Sequence, residues 1–440
     1  VLFATEMWER FSFYSMLAMF TLYLQDREQG FGWSNAQATR LYAIYLSFVY
    51  FSPLVGGWIA DRKLGYRRSV TIGGVFFMAG HLLLAFRSVS LLYAALACLV
   101  IGNGFFKPNV SAMVGKLYPE ESPLKDRAYN VFYMGINVGA FVAPLVAEVV
   151  RSRFGYHPAF AVAAGGMVIS LLVLHGFRRY LAGAEGKDRP AGPVGLAGAT
   201  AVASPESPID AVPDRRRVLG LLAIFAIVIV FWMAFNQNGA TWTYWANDNT
   251  DWSASAVVPW MIRLFTLGLV DGSNVSGVIA NAIGPFFVIL FTFPLIAFWN
   301  ALRRRGLEPS TPRKMAIGMM LVAASFLIMA QGARMGGNTG RVSPWWLISA
   351  YAVITLGELM LSPMGLSLVS KVAPARLRGL MMGGWFAATG LGGYLVGTIG
   401  VHWTEWPHSM FFFVVAALAA GVSVLLLIVL KPLERTMPGV

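Results

Sequence analysis

"GAEGKDRPAGPVGLAGATAVASPESPIDAVPDRRR", residues 183–217, is the long polar interruption in a chain that is otherwise apolar almost throughout. Gly, Pro, Ala and Ser dominate it, and no run within it is apolar enough to cross a bilayer. That composition reads as a flexible linker. On both sides lie runs of about 18–25 mainly apolar residues, the length that crosses ~30 Å of hydrocarbon. Six precede the linker, near 4–25, 36–60, 69–87, 91–115, 128–150 and 159–178. Six follow it, near 217–246, 275–302, 313–332, 344–371, 376–400 and 407–430. The sequence therefore predicts an all-α integral membrane protein of 12 transmembrane helices in two six-helix bundles. Residues 1–180 form the N-terminal bundle, 181–216 a cytoplasmic linker, 217–432 the C-terminal bundle and 433–440 a cytoplasmic tail.

Composition agrees with this reading. Of 440 residues 57% are hydrophobic and 12% charged, and the mean hydropathy is +0.62; soluble domains carry roughly a quarter charged residues. A net charge of +13 would suit nucleic acid, yet no basic face or recognition motif accompanies it. Topology accounts for it instead. Connections after even-numbered spans, with the C-terminal tail, hold 24 Lys and Arg, and those after odd-numbered spans hold 8. By the positive-inside rule this places both termini in the cytoplasm, in a multi-pass protein of the cytoplasmic membrane. Cys98 is the sole cysteine, so neither an intrachain disulfide nor a Cys metal cluster is expected. The chain opens on Val1 without a signal-peptide pattern, which leads to the expectation that its natural N-terminus lies upstream. In the connection 248–274, "VPWMIRLFTLGLV" (258–270) reads either as a short interfacial helix or as packed loop.

Charges inside the spans carry the functional signal. An ionisable side chain at mid-bilayer costs about 2.5–3.5 kcal/mol on insertion scales, so such groups are usually paired and usually functional. "ATEMWERFSFY" (4–14) puts Glu6, Glu9 and Arg10 at i, i+3 and i+4, on one helix face. Arg10 can hold one carboxylate ionised while desolvation favours the protonated form of another, an arrangement able to take up and release a proton. The competing reading is a structural salt bridge. Lys107 lies in "GNGFFKPNV" before Pro108, and Glu358 in "LGELMLSPMGLS" with Ser362 and Pro363 one turn on. Pro and Gly beside a buried charge predict locally irregular helices lining a cavity. Cations on one half and a carboxylate on the other could hold a zwitterion between them. Lys107 needs an anion when buried; in the empty site Glu9 or Glu6 is expected to supply it. Tyr14, Tyr42, Tyr45, Tyr50, Asn137 and Trp385 add polar and aromatic groups that suit a wet pocket, although each alone also reads as packing. His81 reads as a satisfied polar group. Neither a Walker A loop nor HExxH or GxSxG occurs, so no enzyme is expected, and no cofactor beyond protons as coupling ion.

Taken together, these residues resemble the proton-dependent oligopeptide transporters, a branch of the major facilitator superfamily. "GGWIADRKLGYRR" (56–68) resembles the superfamily's loop between spans 2 and 3, and "EMWERF" (6–11) fits an ExxERF motif. "FFKPN" (105–109), "FYMGINVG" (132–139), "FWMAFNQ" (231–237), "GELMLSPMGLS" (357–367) and "MMGGWF" (381–386) resemble the family's patterns in spans 4, 5, 7, 10 and 11, in the family's order. The resemblance implies a major facilitator fold of two pseudo-symmetric bundles, alternating access, and proton-driven symport of di- and tripeptides, with a monomer expected. It further implies that Glu6, Glu9, Arg10 and Lys107 couple protons, and that Arg10 and Lys107 receive the peptide carboxylate. Glu358 and Asn137 would hold the amino end, with Tyr14, Tyr50, Ser362 and Trp385 shaping the pocket.

Departures from the pattern accompany it. Phe13-Tyr14-Ser15 stands where relatives often carry Tyr-Tyr-Gly, and Leu17 where an Arg is usual, leaving Asn247 or Asp248 without a partner for an outer gate. Gly284 replaces an Asn before Pro285, with Asn281 one turn earlier. Two rival readings share the fold: a transporter of another solute, such as nitrate or a modified amino acid, and a peptide sensor that does not transport. Glu358 argues against nitrate, and the Glu6-Glu9-Arg10 cluster against a sensor.

Overall fold

Bilayer-length apolar runs become helices because lipid offers no partner to a backbone N–H or C=O. A computed structural model describes residues 1–118, 123–184 and 212–437. Before the linker run α1 Leu2–Gln25, α2 Asn35–Ile59, α3 Tyr66–Leu84, α4 Val89–Lys116, α5 Pro123–Phe154 and α6 Tyr156–Gly176. After it come α7 Asp214–Phe235, α8 Thr241–Asp248, α9 Val257–Phe265, α10 Ile283–Arg304, α11 Thr311–Gly336, α12 Trp345–Val372, α13 Arg378–Gly400, α14 His408–Ile428 and α15 Leu430–Thr436. Helix α2 opens on a capping box, Ser34 with Gln37, and Ser88 caps α4. Among the described residues the twelve long helices match the expected spans, and no strand forms. By length and composition 9 helices can cross a membrane. The others, α1, α3 and α13, are diluted by the α1 charges, by Arg67 and Arg68, and by glycines. Most of the linker, 185–211, lies outside the described residues.

Three local details differ from expectation. The seventh span is not continuous: Asn236–Gly239 tightens into a 3-10 turn before α8, where Asn and Gly hold a helix poorly. Conversely, α4 runs unbroken through Pro108, and α12 runs unbroken from Glu358 to Val372, so the irregularity expected beside Lys107 and Glu358 is absent. In α4 the glycines serve packing instead. A Cβ on Gly56 would sit 2.0 Å from the Gly104 carbonyl oxygen, and one on Gly73 2.7 Å from that of Gly102. Finally, the C-terminal tail docks: Leu433 and Met437 are buried and lie with Thr436 against Gly220 of α7. The 258–270 segment is a helix over α9, burying Val258, Pro259 and Ile262 and exposing Trp260 and Leu264, the two-faced pattern of an interfacial helix.

Contacts between the halves follow a pseudo-two-fold rule. Helix α2, second in its half, packs on α13, fifth in the other; α5, fifth in its half, packs on α10, second in the other. Along the first seam Gly390, Gly393, Gly397 and Gly400 face Phe51, Leu46, Ala43 and Thr39. Because the α2–α4 approach leaves no room for a side chain, Gly104→Leu should force the helices apart. Overpacking of this kind costs about 1–3 kcal/mol, so the thermal midpoint in detergent should fall by several degrees; an unchanged midpoint would contradict the packing.

Candidate functional site

The charged cluster of α1 sits where its spacing puts it, and almost no solvent reaches it. Glu6, Glu9 and Arg10 are 1%, 0% and 3% exposed. Arg10 forks onto Glu9: Nε meets Oε2 in a very short contact, and Nη2 donates to Oε1 at 2.6 Å. Glu6 Oε1 lies 3.5 Å from Arg10 Nε, while Glu6 Oε2 has no partner among the described residues. The guanidinium also faces the Phe13 ring at 4.9 Å and the Tyr14 ring at 6.0 Å. One planar cation thus serves two carboxylates, which a bidentate fork does well and a point charge does not.

Neighbouring helices complete this pole. Asn103 of α4 presents Oδ1 3.5 Å from Arg10 Nη2 and donates through Nδ2 to the Val49 carbonyl of α2 at 2.7 Å. Lys107, one turn on, is half-buried. The expected ion pair with Glu6 or Glu9 is not made, because Arg10 already holds both carboxylates. Instead Lys107 Nζ lies 5.9 Å from the Tyr50 ring centre, within the electrostatic reach of Arg10, Glu6 and Glu9. Tyr50 in turn packs on Trp232 of α7, ring centres 5.9 Å apart, so the Lys107 wall meets the other bundle.

Glu358 of α12 forms the opposite pole. It is half-buried, as is Ser362 one turn on, and its charge bears on Tyr14, Tyr50 and Tyr133. Asn137 is 8% exposed and donates to the Tyr133 carbonyl at 2.9 Å. Trp385 is buried, edge-on to Phe225 at 6.4 Å and against Gly365. Asn103, Tyr133 and Trp232 were not singled out from sequence, although each lies inside a quoted motif, Asn103 and Tyr133 one turn before Lys107 and Asn137. Tyr42 and Tyr45 are buried, and Tyr42 donates to the Asn236 carbonyl at the seventh-span break. His81 departs from expectation: buried, stacked on Phe77, it has no partner for either ring nitrogen among the described residues. Asn281 bonds Thr243 of its own half at 3.1 Å, and Gly284 rests against Tyr351.

Hydrogen bonds between the bundles gather at one end, away from both chain termini. Thr21 donates to the Gly239 carbonyl at 3.2 Å, Thr39 and Tyr244 share a bond of 2.9 Å, and Arg153 donates to the Leu269 carbonyl at 2.8 Å. Among the described residues none crosses at the opposite end. Two bundles joined at one end around a charged centre define a membrane carrier of the two-bundle class.

Comparison with known proteins makes this specific. A sequence model of the POT family (PTR2) matches residues 67–189 and 195–410. An uncharacterized transporter, YclF, of Bacillus subtilis is 33% identical over 100% of this chain and 94% of its own length. A di-/tripeptide transporter of Lactococcus lactis subsp. cremoris is 32% identical over 100% of this chain and 96% of its own. The crystal structure of a mutant POT peptide transporter in complex with sulfate superposes with a TM-score of 0.86 at 28% identity, covering 100% of this chain and 95% of that one. The chain belongs to the POT family of transporters.

The fork predicts a charge-conserving failure. Arg10→Lys keeps one positive charge but cannot serve Glu9 bidentately while facing Glu6, so transport should drop on the order of tenfold or more. Uptake by purified, correctly folded Arg10→Lys protein at the wild-type rate would show that charge alone suffices.

Proposed function

We propose that this chain takes up di- and tripeptides across the cytoplasmic membrane together with protons, by alternating access of its two bundles, as a monomer with no cofactor beyond the coupling proton. The observation that carries this reading is the pairing of poles. A buried Glu6-Glu9-Arg10 cluster beside half-buried Lys107 lies in one bundle, and Glu358 in the other, with tyrosines between. A short peptide is a zwitterion and needs opposite charges at its ends; its variable side chains call for a tolerant pocket. Both termini are placed in the cytoplasm by the Lys and Arg bias, which makes the joined end the outer one and the described state inward-facing. Glu6 Oε2, accepting no hydrogen bond among the described residues, suits a carboxylate that exchanges a proton. Lys107 and Arg10 would receive the peptide carboxylate, Glu358 and Asn137 its amino end, with Tyr14, Tyr50, Ser362 and Trp385 shaping the pocket. The relative named for di- and tripeptides supports the substrate class.

Proteoliposomes with an imposed inward proton gradient test the coupling. Wild type should accumulate a labelled dipeptide, and Glu6→Gln or Glu9→Gln should abolish accumulation. Exchange of peptide across an unenergised membrane should survive better, since it moves no net proton. Gradient-driven accumulation at the wild-type rate in both variants would remove the coupling role.

The amine end has its own test. Removing one partner of a buried charge pair costs about 3–5 kcal/mol. Glu358→Gln should therefore weaken free dipeptides on the order of a hundredfold or more and N-acetylated dipeptides little. Equal losses for both ligands would mean that Glu358 does not read the amine.

A further inference from the structure

Glu148 lies outside both poles of the central site, near the outer end of α5, and is 0% exposed. Its carboxylate is fully engaged. Arg151 donates from Nε to Oε2 and from Nη2 to Oε1, each at 2.9 Å. Ser276, in the other bundle, donates its backbone N–H to Oε1 at 2.9 Å and its hydroxyl to Oε2 at 2.6 Å. Four donors thus share two oxygens, two from each bundle.

The far side of this contact is equally fixed. Ser276 Oγ accepts from the Val278 N–H at 3.2 Å, and the Gly277 N–H donates to Asn247 Oδ1 at 3.1 Å. A Cβ on Gly277 would meet the Thr243 carbonyl oxygen at 2.3 Å, so the turn is clamped between α5 and α8. Elsewhere at this end the acceptors crossing between bundles are hydroxyls and carbonyls. Here the acceptor is a carboxylate paired with Arg151 and out of water, and hydrogen bonds to charged groups are roughly twice as strong as neutral ones.

We propose that Glu148, oriented by Arg151, is the positioning residue that latches the bundles at the outer end through Ser276. Its release is the main polar step in opening that end. The inference rests on the alternating-access reading. It also supplies what Leu17 removes, since the arginine that the family pattern would place there to pair spans 1 and 7 is missing. Leu17 can bond nothing, and α5 with the turn before α10 carries the charged tie instead.

Spin labels on Phe154→Cys and Ser273→Cys, both exposed positions at this end, in a Cys98→Ser background, read the separation of the bundles by pulsed electron resonance in nanodiscs without peptide. Wild type should give mainly the short distance. Ser276→Ala, which leaves the Glu148-Arg151 pair intact, should raise the ratio of long to short distances about tenfold. Ser276→Thr should restore it, and Glu148→Gln should raise it at least as far as Ser276→Ala. Wild-type distance distributions in both Ser276→Ala and Glu148→Gln overturn the latch. So does a shift confined to Glu148→Gln, which would report only the stranded Arg151. Because the readout needs neither peptide nor proton gradient, it stands or falls separately from the substrate proposed above.

Discussion

Arg10 cannot stand alone in a bilayer, and much of the N-terminal bundle is arranged around the two carboxylates that keep it company. Their spacing on one turn of α1 makes the pairing local, so it forms as the helix forms. The bundle then holds the helix in place. Ser12 donates to the Ala163 carbonyl of α6 at 2.5 Å, and Ser170 of α6 donates back to that of Thr5 at 2.7 Å. Gly139 lets α5 approach so closely that a Cβ would lie 2.3 Å from the Met7 carbonyl oxygen. A charge triad on such a platform cannot relax by swinging toward water. Its response to a proton or an anion must be a change of partners.

Two cations of different character then face the space between the bundles. Arg10 is immobilised by its fork, whereas Lys107 sits on a flexible stem, half-buried and without an ion pair among the described residues. Arg10 and Lys107 formally balance Glu6 and Glu9, so a proton on Glu6 would leave the set one anion short, and a carboxylate arriving beside Lys107 would complete it. On the proposed reading, proton and substrate would act on the same charge balance without touching the same atom. Asn103 links this balance to backbone, since one side chain touches Arg10 and the Val49 carbonyl in the middle of α2.

Much of this was legible in the sequence because the bilayer is a strict reader. Span lengths, the division into two bundles and the buried charges all follow from what hydrocarbon will not solvate. Neutral groups were harder to see. Asn103 costs little to bury once paired, and Tyr133 keeps an exposed face, so nothing in composition marks them. The break at Asn236–Gly239 was masked by apolar residues on both sides, although Asn-Gln-Asn-Gly is poor helix sequence. Pro108 misled in the other direction, since a helix surrounded by helices tolerates one missing hydrogen bond. Glu148 was hidden by its own neighbours: beside Arg151 and Arg153 near a helix end it reads as a solvated surface charge, and only the fold brings Ser276 over it.

The seam between α2 and α13 has mechanical consequences. Helices with large side chains interlock, and sliding one past the other means lifting each knob out of its hole. A row of glycines has no knobs. Facing Phe51, Leu46, Ala43 and Thr39, Gly390, Gly393, Gly397 and Gly400 offer a nearly smooth track, closely packed yet without preferred stops. Such a surface behaves as a bearing: it keeps the halves together under load while adding little friction to their relative motion. The resting positions of the machine are then set at its ends, where polar contacts are made and broken, and its middle merely turns.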